Sequence, residues 1–214
     1  MPRPRSLTPS RIADAALAVL DAEGHGALSM RAVAARLGMG TMSLYRYVED
    51  RSALEELVVE RILEPVDLTA PDGAWRHRLL ELSERVRRAV AAHPAAIPLA
   101  IAHRQSSPTL LRWTETVLDV LTAAGLTGHA RAAALRALLA HLIGALELAH
   151  GAPLQGEGTR RLSALPPADF PLLTATARDA AAISPEEEFR LGLELLLNGL
   201  AAAHLGETPE TGEK

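Results

Sequence analysis

Apolar residues recur along this chain at helical spacing, in stretches interrupted by glycine and proline. Ile12, Ala15, Ala16, Val19 and Leu20 fall on one helical face. A first helix is therefore predicted to about Ala22, capped by Thr8 or Ser10 and closed by Gly24 and Gly26. Ser29 can cap a short second helix carrying Val33, Ala34 and Leu37, which Gly38 ends. Thr41 to Tyr47 gives a short third helix. Asp50 caps a fourth, in which Leu54, Leu57, Val58, Ile62 and Leu63 repeat at helical spacing, with Pro65 beyond it.

Pro71, Asp72 and Gly73 then mark a break. A longer helix is predicted from about Ala74 to His93, where Pro94 stops it. Short helical stretches follow at 95–104 and from Pro108 to about Ala124. Gly125 and Gly128 separate these from a long helix over about 129–150. Residues 151–171, with Gly151, Pro153, Gly156, Gly158, Pro166, Pro167 and Pro171, read as the main loop. A modest helix is expected over 172–182, and Pro185 opens a last strong helix to about Leu205. No strand-like alternation bounded by hairpin turns appears, so the fold class is all-α. The expected organisation is a three-helix helix-turn-helix domain over 1–50, a helical bundle for ligand binding and dimerisation over 51–205, and a disordered tail over 206–214.

Composition narrows the function. Hydrophobic residues make up 48% of the 214, enough to bury a sizeable core. Cysteine is absent, which excludes disulfides and thiolate metal sites. No apolar run follows Met1-Pro-Arg-Pro-Arg, so no signal peptide is expected, and charged or histidine residues interrupt every long aliphatic stretch, so neither is a membrane span. A cytoplasmic protein is the resulting expectation. The net charge of −4 argues against a generic nucleic-acid coat. It conceals an asymmetry. Up to Tyr47 the arginines Arg3, Arg5, Arg11, Arg31, Arg36 and Arg46 outnumber the acids Asp14, Asp21 and Glu23, while the remainder is acidic. A basic head attracts phosphate, and an acidic body limits unproductive adhesion.

The chemistry concentrates in residues 28–57. A short helix, a tight turn at Gly38 and a second short helix have the form of a helix-turn-helix. Ala34 is small where the helices cross, and Gly38 can take the left-handed conformation that bulkier residues resist. Val33, Leu37, Leu44 and Val48 can fix the second helix against the first, which leaves Thr41, Met42, Tyr45 and Arg46 facing a major groove. The chain has two tyrosines, Tyr45 and Tyr47, both on this short element. Two rings on opposite sides of one polar helix are hard to bury together. Contacts of their hydroxyls and rings with phosphates and thymine methyls account for them better.

Residues 8–57 resemble the DNA-binding domain of the TetR family of tetracycline-repressor-like regulators. The resemblance is carried by Gly24 at the end of the first helix, Ser29 before the second, Leu37-Gly38, the run Ser43-Leu44-Tyr45-Arg46-Tyr47-Val48, and Arg51 with Leu54. Two positions depart from the common pattern, Arg51 where lysine is usual and Tyr47 where histidine is frequent. The resemblance implies base-reading places at Arg31, Thr41, Met42 and Tyr45. It implies backbone-contacting places at Ser29, Ser43, Arg46, Tyr47 and Arg51. It further implies a homodimer on a palindromic double-stranded DNA operator, acting as a repressor that a small-molecule effector releases, with no catalytic activity.

Other constellations are weaker. His141, Glu147 and His150 share the long helix, but their spacing does not bring all three to one face, so no metal site is expected. No phosphate-binding glycine loop, nucleophile elbow or cofactor signature is present, and no cofactor is expected. A helical enzyme would need converging titratable residues, and an architectural DNA protein broader positive charge. His103, Arg104, Trp113, His141 and Glu147 are candidates for an apolar ligand pocket in the body. The competing reading has Trp113 in the core and the others reaching solvent. Ala137, Gly144, Ala145 and Leu148, with Gly192, Leu196, Gly199 and Ala203, place small and apolar residues at helical spacing on the two long helices, suiting a close helix-helix contact in the core or in a dimer.

Overall fold

A computed structural model describes residues 7–204, so the tail expected over 206–214 lies outside the described residues. Among the described residues there is no strand, and eleven α-helices follow one another. The chain divides into two compact units, one made of residues up to Leu68 together with Arg85–Glu115, the other of Thr69–Glu84 and the chain from Thr116 on.

In the first unit α1 (Pro9–Glu23) begins where the Thr8 side chain accepts a hydrogen bond from the Arg11 amide, and proline fills its first position. It ends at Gly24, whose φ of 82° suits a residue without a β-carbon. Its buried face is Ile12, Ala13, Ala15, Ala16, Val19 and Leu20. Ser29 caps α2 (Met30–Arg36), which buries Met30, Val33 and Ala34. The α3 helix (Thr41–Leu44) is a single turn, and α4 (Arg51–Leu63) starts from the Asp50 cap, with Leu54, Val58, Val59, Ile62 and Leu63 buried. The α4 helix packs along α1, and Arg61 ties the two at their exposed edge through Asp14, Nε to Oδ1 2.6 Å.

The α5 helix (Trp75–Ala91) contributes its residues from Arg85 on to this unit. A 3-10 turn over Pro94–Ala96 then leads into α6 (Ile97–Ala102), which packs on α4. The α7 helix (Pro108–Ala123) starts beside α4. There Glu60 accepts hydrogen bonds from the Ser107 hydroxyl, the Thr109 amide at 3.3 Å and the Thr109 hydroxyl at 2.7 Å. A carboxylate from a neighbouring helix thus satisfies donors at a helix start that the helix itself leaves open.

The second unit is built on α8 (Gly128–Gly151) and α11 (Pro185–His204), which pack together. The four-residue spacing of Ala134, Leu138, Leu142 and Leu146 on one, and of Phe189, Leu193, Leu197 and Ala201 on the other, puts a buried stripe on each. His141 lies against Phe189, ring centroids 5.1 Å apart, and donates from Nε2 to the Phe189 carbonyl at 2.9 Å. Between these helices α9 (Glu157–Ser163) and α10 (Pro171–Ala180) pack on one another. The α9 helix falls inside the stretch expected to be loop.

By length and apolar composition, α8 is the one described helix that could cross a membrane. Arg131, Arg136 and Glu147 interrupt its apolar run, the ground on which no span was expected. Its apolar residues surround the axis, so a face remains outside the contact with α11, carrying the exposed Leu148. On α11 the exposed Leu191 and Leu195 continue the same theme.

Candidate nucleic-acid interface

The candidate reading head is α2, the turn at Gly38, and α3. Gly38 has a φ of 69°, and the Met39 amide reaches back to the Ala34 carbonyl at 3.0 Å, reversing the chain tightly after α2. Leu44 and Val48 are buried and anchor the following segment. The helix expected to reach Tyr47 ends at Leu44. Residues 45–47 continue as turns, with the Tyr47 and Val48 amides both bonded to the Leu44 carbonyl. One buried leucine at the centre of so short an element leaves its neighbours outside. Met42 is 79% exposed, Tyr45 45% and Tyr47 50%. Large apolar side chains left in water over six residues form a contact surface, since a core would have taken them. Arg46 and Arg31 are exposed beside them, while Thr41 and Ser43 are half-buried. The Ser29 hydroxyl accepts from the Ala32 amide at 3.2 Å, so Ser29 stands at the α2 N-terminus as its cap.

Arg51 is the first residue of α4, at the edge of this surface. Its Nε donates to Oε1 of Glu55 at 2.7 Å, and its side chain stays 49% exposed. The other carboxylate oxygen, Oε2, accepts from His103 Nε2 at 3.1 Å, and Glu56 Oε1 lies 3.7 Å from the other ring nitrogen. A carboxylate only accepts, so the His103 Nε2 carries a proton. Burial alone would raise the Glu55 pKa. The hydrogen bonds from His103 and Arg51, with the charge on Arg51, outweigh it and hold the carboxyl below its ordinary value. Reading the sequence alone missed Glu55. Its signal was the four-residue spacing from Arg51, which puts the two side chains on one helical face.

The ligand-pocket candidates are distributed over both units. In the first, His103 is held by Glu55, Arg104 Nη1 donates to the Ile101 carbonyl at 2.7 Å, and Trp113 is a core residue, 1% exposed. In the second, His141 is bonded to Phe189, and Glu147 is exposed. The second unit also has two clefts flanking Leu80, of about 320 Å³ and 250 Å³, lined by α5 and α11 side chains that include Phe189, Arg190, His77 and Asn198. No group of side chains suited to hold a metal ion occurs among the described residues.

This geometry is that of a helix-turn-helix DNA-binding protein with a helical body. Comparison with known proteins specifies the kind. Residues 12–55 match the family model described as bacterial regulatory proteins, tetR family, and residues 69–204 the one described as Tetracyclin repressor-like, C-terminal domain. The chain is 33% identical to the HTH-type transcriptional repressor DrrR1 of Streptomyces coeruleorubidus, over 93% of this chain and 78% of that one. It is 27% identical to the class A tetracycline repressor from transposon 1721 of Escherichia coli, covering 93% of each. Apo ActR from Streptomyces coelicolor superposes with a TM-score of 0.79 at 30% identity, over 94% of this chain and 97% of that one. The chain belongs to the TetR family of bacterial transcriptional regulators, which bind DNA and are not enzymes.

Proposed function

We propose that the protein is a repressor that binds a near-palindromic operator as a homodimer in the cytoplasm and is released by a small organic effector. The supporting observation is the exposure of Met42 on the one-turn helix α3, and of Tyr45, Arg46 and Tyr47 in the turn after it, around the buried anchors Leu44 and Val48. Met42 and Tyr45, with Thr41 and Arg31, would read base edges. Arg46, Tyr47 and Arg51, with Ser29 and Ser43, would hold phosphates. Residues 1–50 would act as the reading head and 51–205 as the body that dimerises and binds effector.

Two features support the rest. The exposed apolar residues Leu148 of α8 and Leu191 and Leu195 of α11 would be covered by the same helices of a second copy, which supplies the two-fold symmetry paired half-sites need. ActR has also been crystallised with actinorhodin, at 30% identity to this chain, which supports a small-molecule effector here. Each unit by itself offers candidates for this contact, His103, Arg104 and Trp113 in the first and His141 and Glu147 in the second. For release, the effector must favour the non-binding state by about 1–3 kcal/mol.

Selection from a pool of random duplexes, followed by titration of the enriched and a scrambled duplex across salt, tests the DNA reading. Tyr45→Ala should weaken the enriched duplex more than the scrambled one. Arg51→Ala should weaken both alike and lower the salt slope by about one. Equal effects of both substitutions on both duplexes would remove the base-reading role of Tyr45.

A further inference from the structure

Arg51 is an unusual choice for the first position of a helix, where the backbone dipole disfavours a cation. It does not stand alone there. Its Nε is held by Glu55 Oε1 at 2.7 Å, and Glu55 Oε2 is held by His103 at 3.1 Å. These three residues form a continuous line from the C-terminal end of α6, through the middle of α4's first turns, to the edge of the reading head. Water is progressively admitted along it. The side chains of His103 and Glu55 are 11% and 16% exposed, and that of Arg51 is 49% exposed.

We propose that Glu55 and His103 are positioning residues for Arg51, with His103 controlling how much of the guanidinium is offered to DNA. This rests on the assignment of Arg51 as a phosphate contact. A guanidinium has five donors. Bonded through Nε alone, it keeps its terminal nitrogens for a phosphate. A carboxylate with both oxygens free can instead take an arginine side-on, through two parallel bonds. His103 holds the second oxygen toward the end of α6, which orients the carboxylate away from a side-on pair with Arg51. Without His103, Glu55 can turn both oxygens onto Arg51 and remove donors from the DNA-facing edge. The lowered pKa of Glu55 agrees with a carboxylate kept ionised by both partners. An exposed pair four residues apart would contribute little by itself. What gives this one a consequence is the third member on another helix.

The test is a set of titrations on the selected duplex, with thermal melting of each variant in parallel. His103→Leu should weaken binding by roughly tenfold, the scale of one charge-assisted hydrogen bond. His103→Gln keeps an N–H donor and should restore most of it. In an Arg51→Ala or a Glu55→Gln background, His103→Leu should change nothing further. An equal loss in all backgrounds, or no loss in any, would overturn the positioning role. If His103→Leu does not fold, the cycle of Glu55→Gln with Arg51→Ala carries the same test. Glu55→Gln must then alter affinity while Arg51 is present and not after its removal. The two claims fail separately, because an unmodified protein that enriches no duplex would refute the DNA reading before any variant is made.

Discussion

Gly192 shows how one missing β-carbon fixes a contact between two long helices. A β-carbon there would lie 2.5 Å from Cε1 of His141, inside any permitted separation. The ring cannot move aside freely, because it is stacked on Phe189 and bonded to the Phe189 carbonyl. Gly192→Ala should therefore lower stability by about 1–3 kcal/mol, as overpacking of an interior usually does. Urea unfolding measures it, and His141→Ala in the same chain should recover most of the loss by making room. The sequence displayed Gly192 as one of several small residues at helical spacing. Its partner, 51 positions earlier, could not be read because a non-local approach leaves no periodic trace. Ser29, Asp50, Gly24 and Gly38 were legible because caps and left-handed turns are local chemistry. The exposure of Met42, Tyr45 and Tyr47 was legible for a related reason, since a short segment with one core leucine cannot bury three more large side chains.

Among elements, α4 is the one that others grip. Glu60 satisfies the start of α7, Glu55 receives His103 from the end of α6, and Arg61 reaches Asp14 of α1. The Glu55 carboxylate makes its part of this fastening acid-sensitive. Glu55 has a native pKa below its ordinary value of 4.5, so the folded chain prefers the ionised form. The stability this contributes is fully present above the ordinary value and is lost as pH falls through the lower native one. Glu55→Gln should be less stable than the unmodified chain at neutral pH. The difference should shrink on acidification below about 4.5 and vanish once Glu55 is protonated in both states. Urea unfolding at a series of pH values checks it, and a constant difference across that series would show that the carboxylate charge has no part.

Most helices were visible as apolar periodicity between glycine and proline breaks. The α9 helix was not. It has no buried residue, starts after Gly156, and is laced by ion pairs of Glu157 with Arg160 and Arg161, which leave no hydrophobic pattern to detect. The third helix was read too long for the opposite reason. No glycine or proline at 45–47 marks its end, and after Leu44 the chain continues as turns that bury Val48.

At the scale of the whole molecule, the outer apolar faces of α8 and α11 call for a partner. Leu195 is 74% exposed, and with Leu191 and Leu148 it leaves large apolar side chains in water on both long helices. Leu195→Glu would place a charge in the proposed dimer contact. Sedimentation should then show a monomer where the unmodified protein sediments as a dimer at micromolar concentration. A monomer for the unmodified protein would dispose of the dimer. Hydroxyl-radical footprinting on the selected duplex shows whether this TetR-family chain places two reading heads on one operator. Two protected patches are expected on one face of the DNA, related by two-fold symmetry, with centres about 34–36 Å apart or a multiple of that spacing. Protection spread evenly along the duplex, and equal to that on a scrambled sequence, would contradict it.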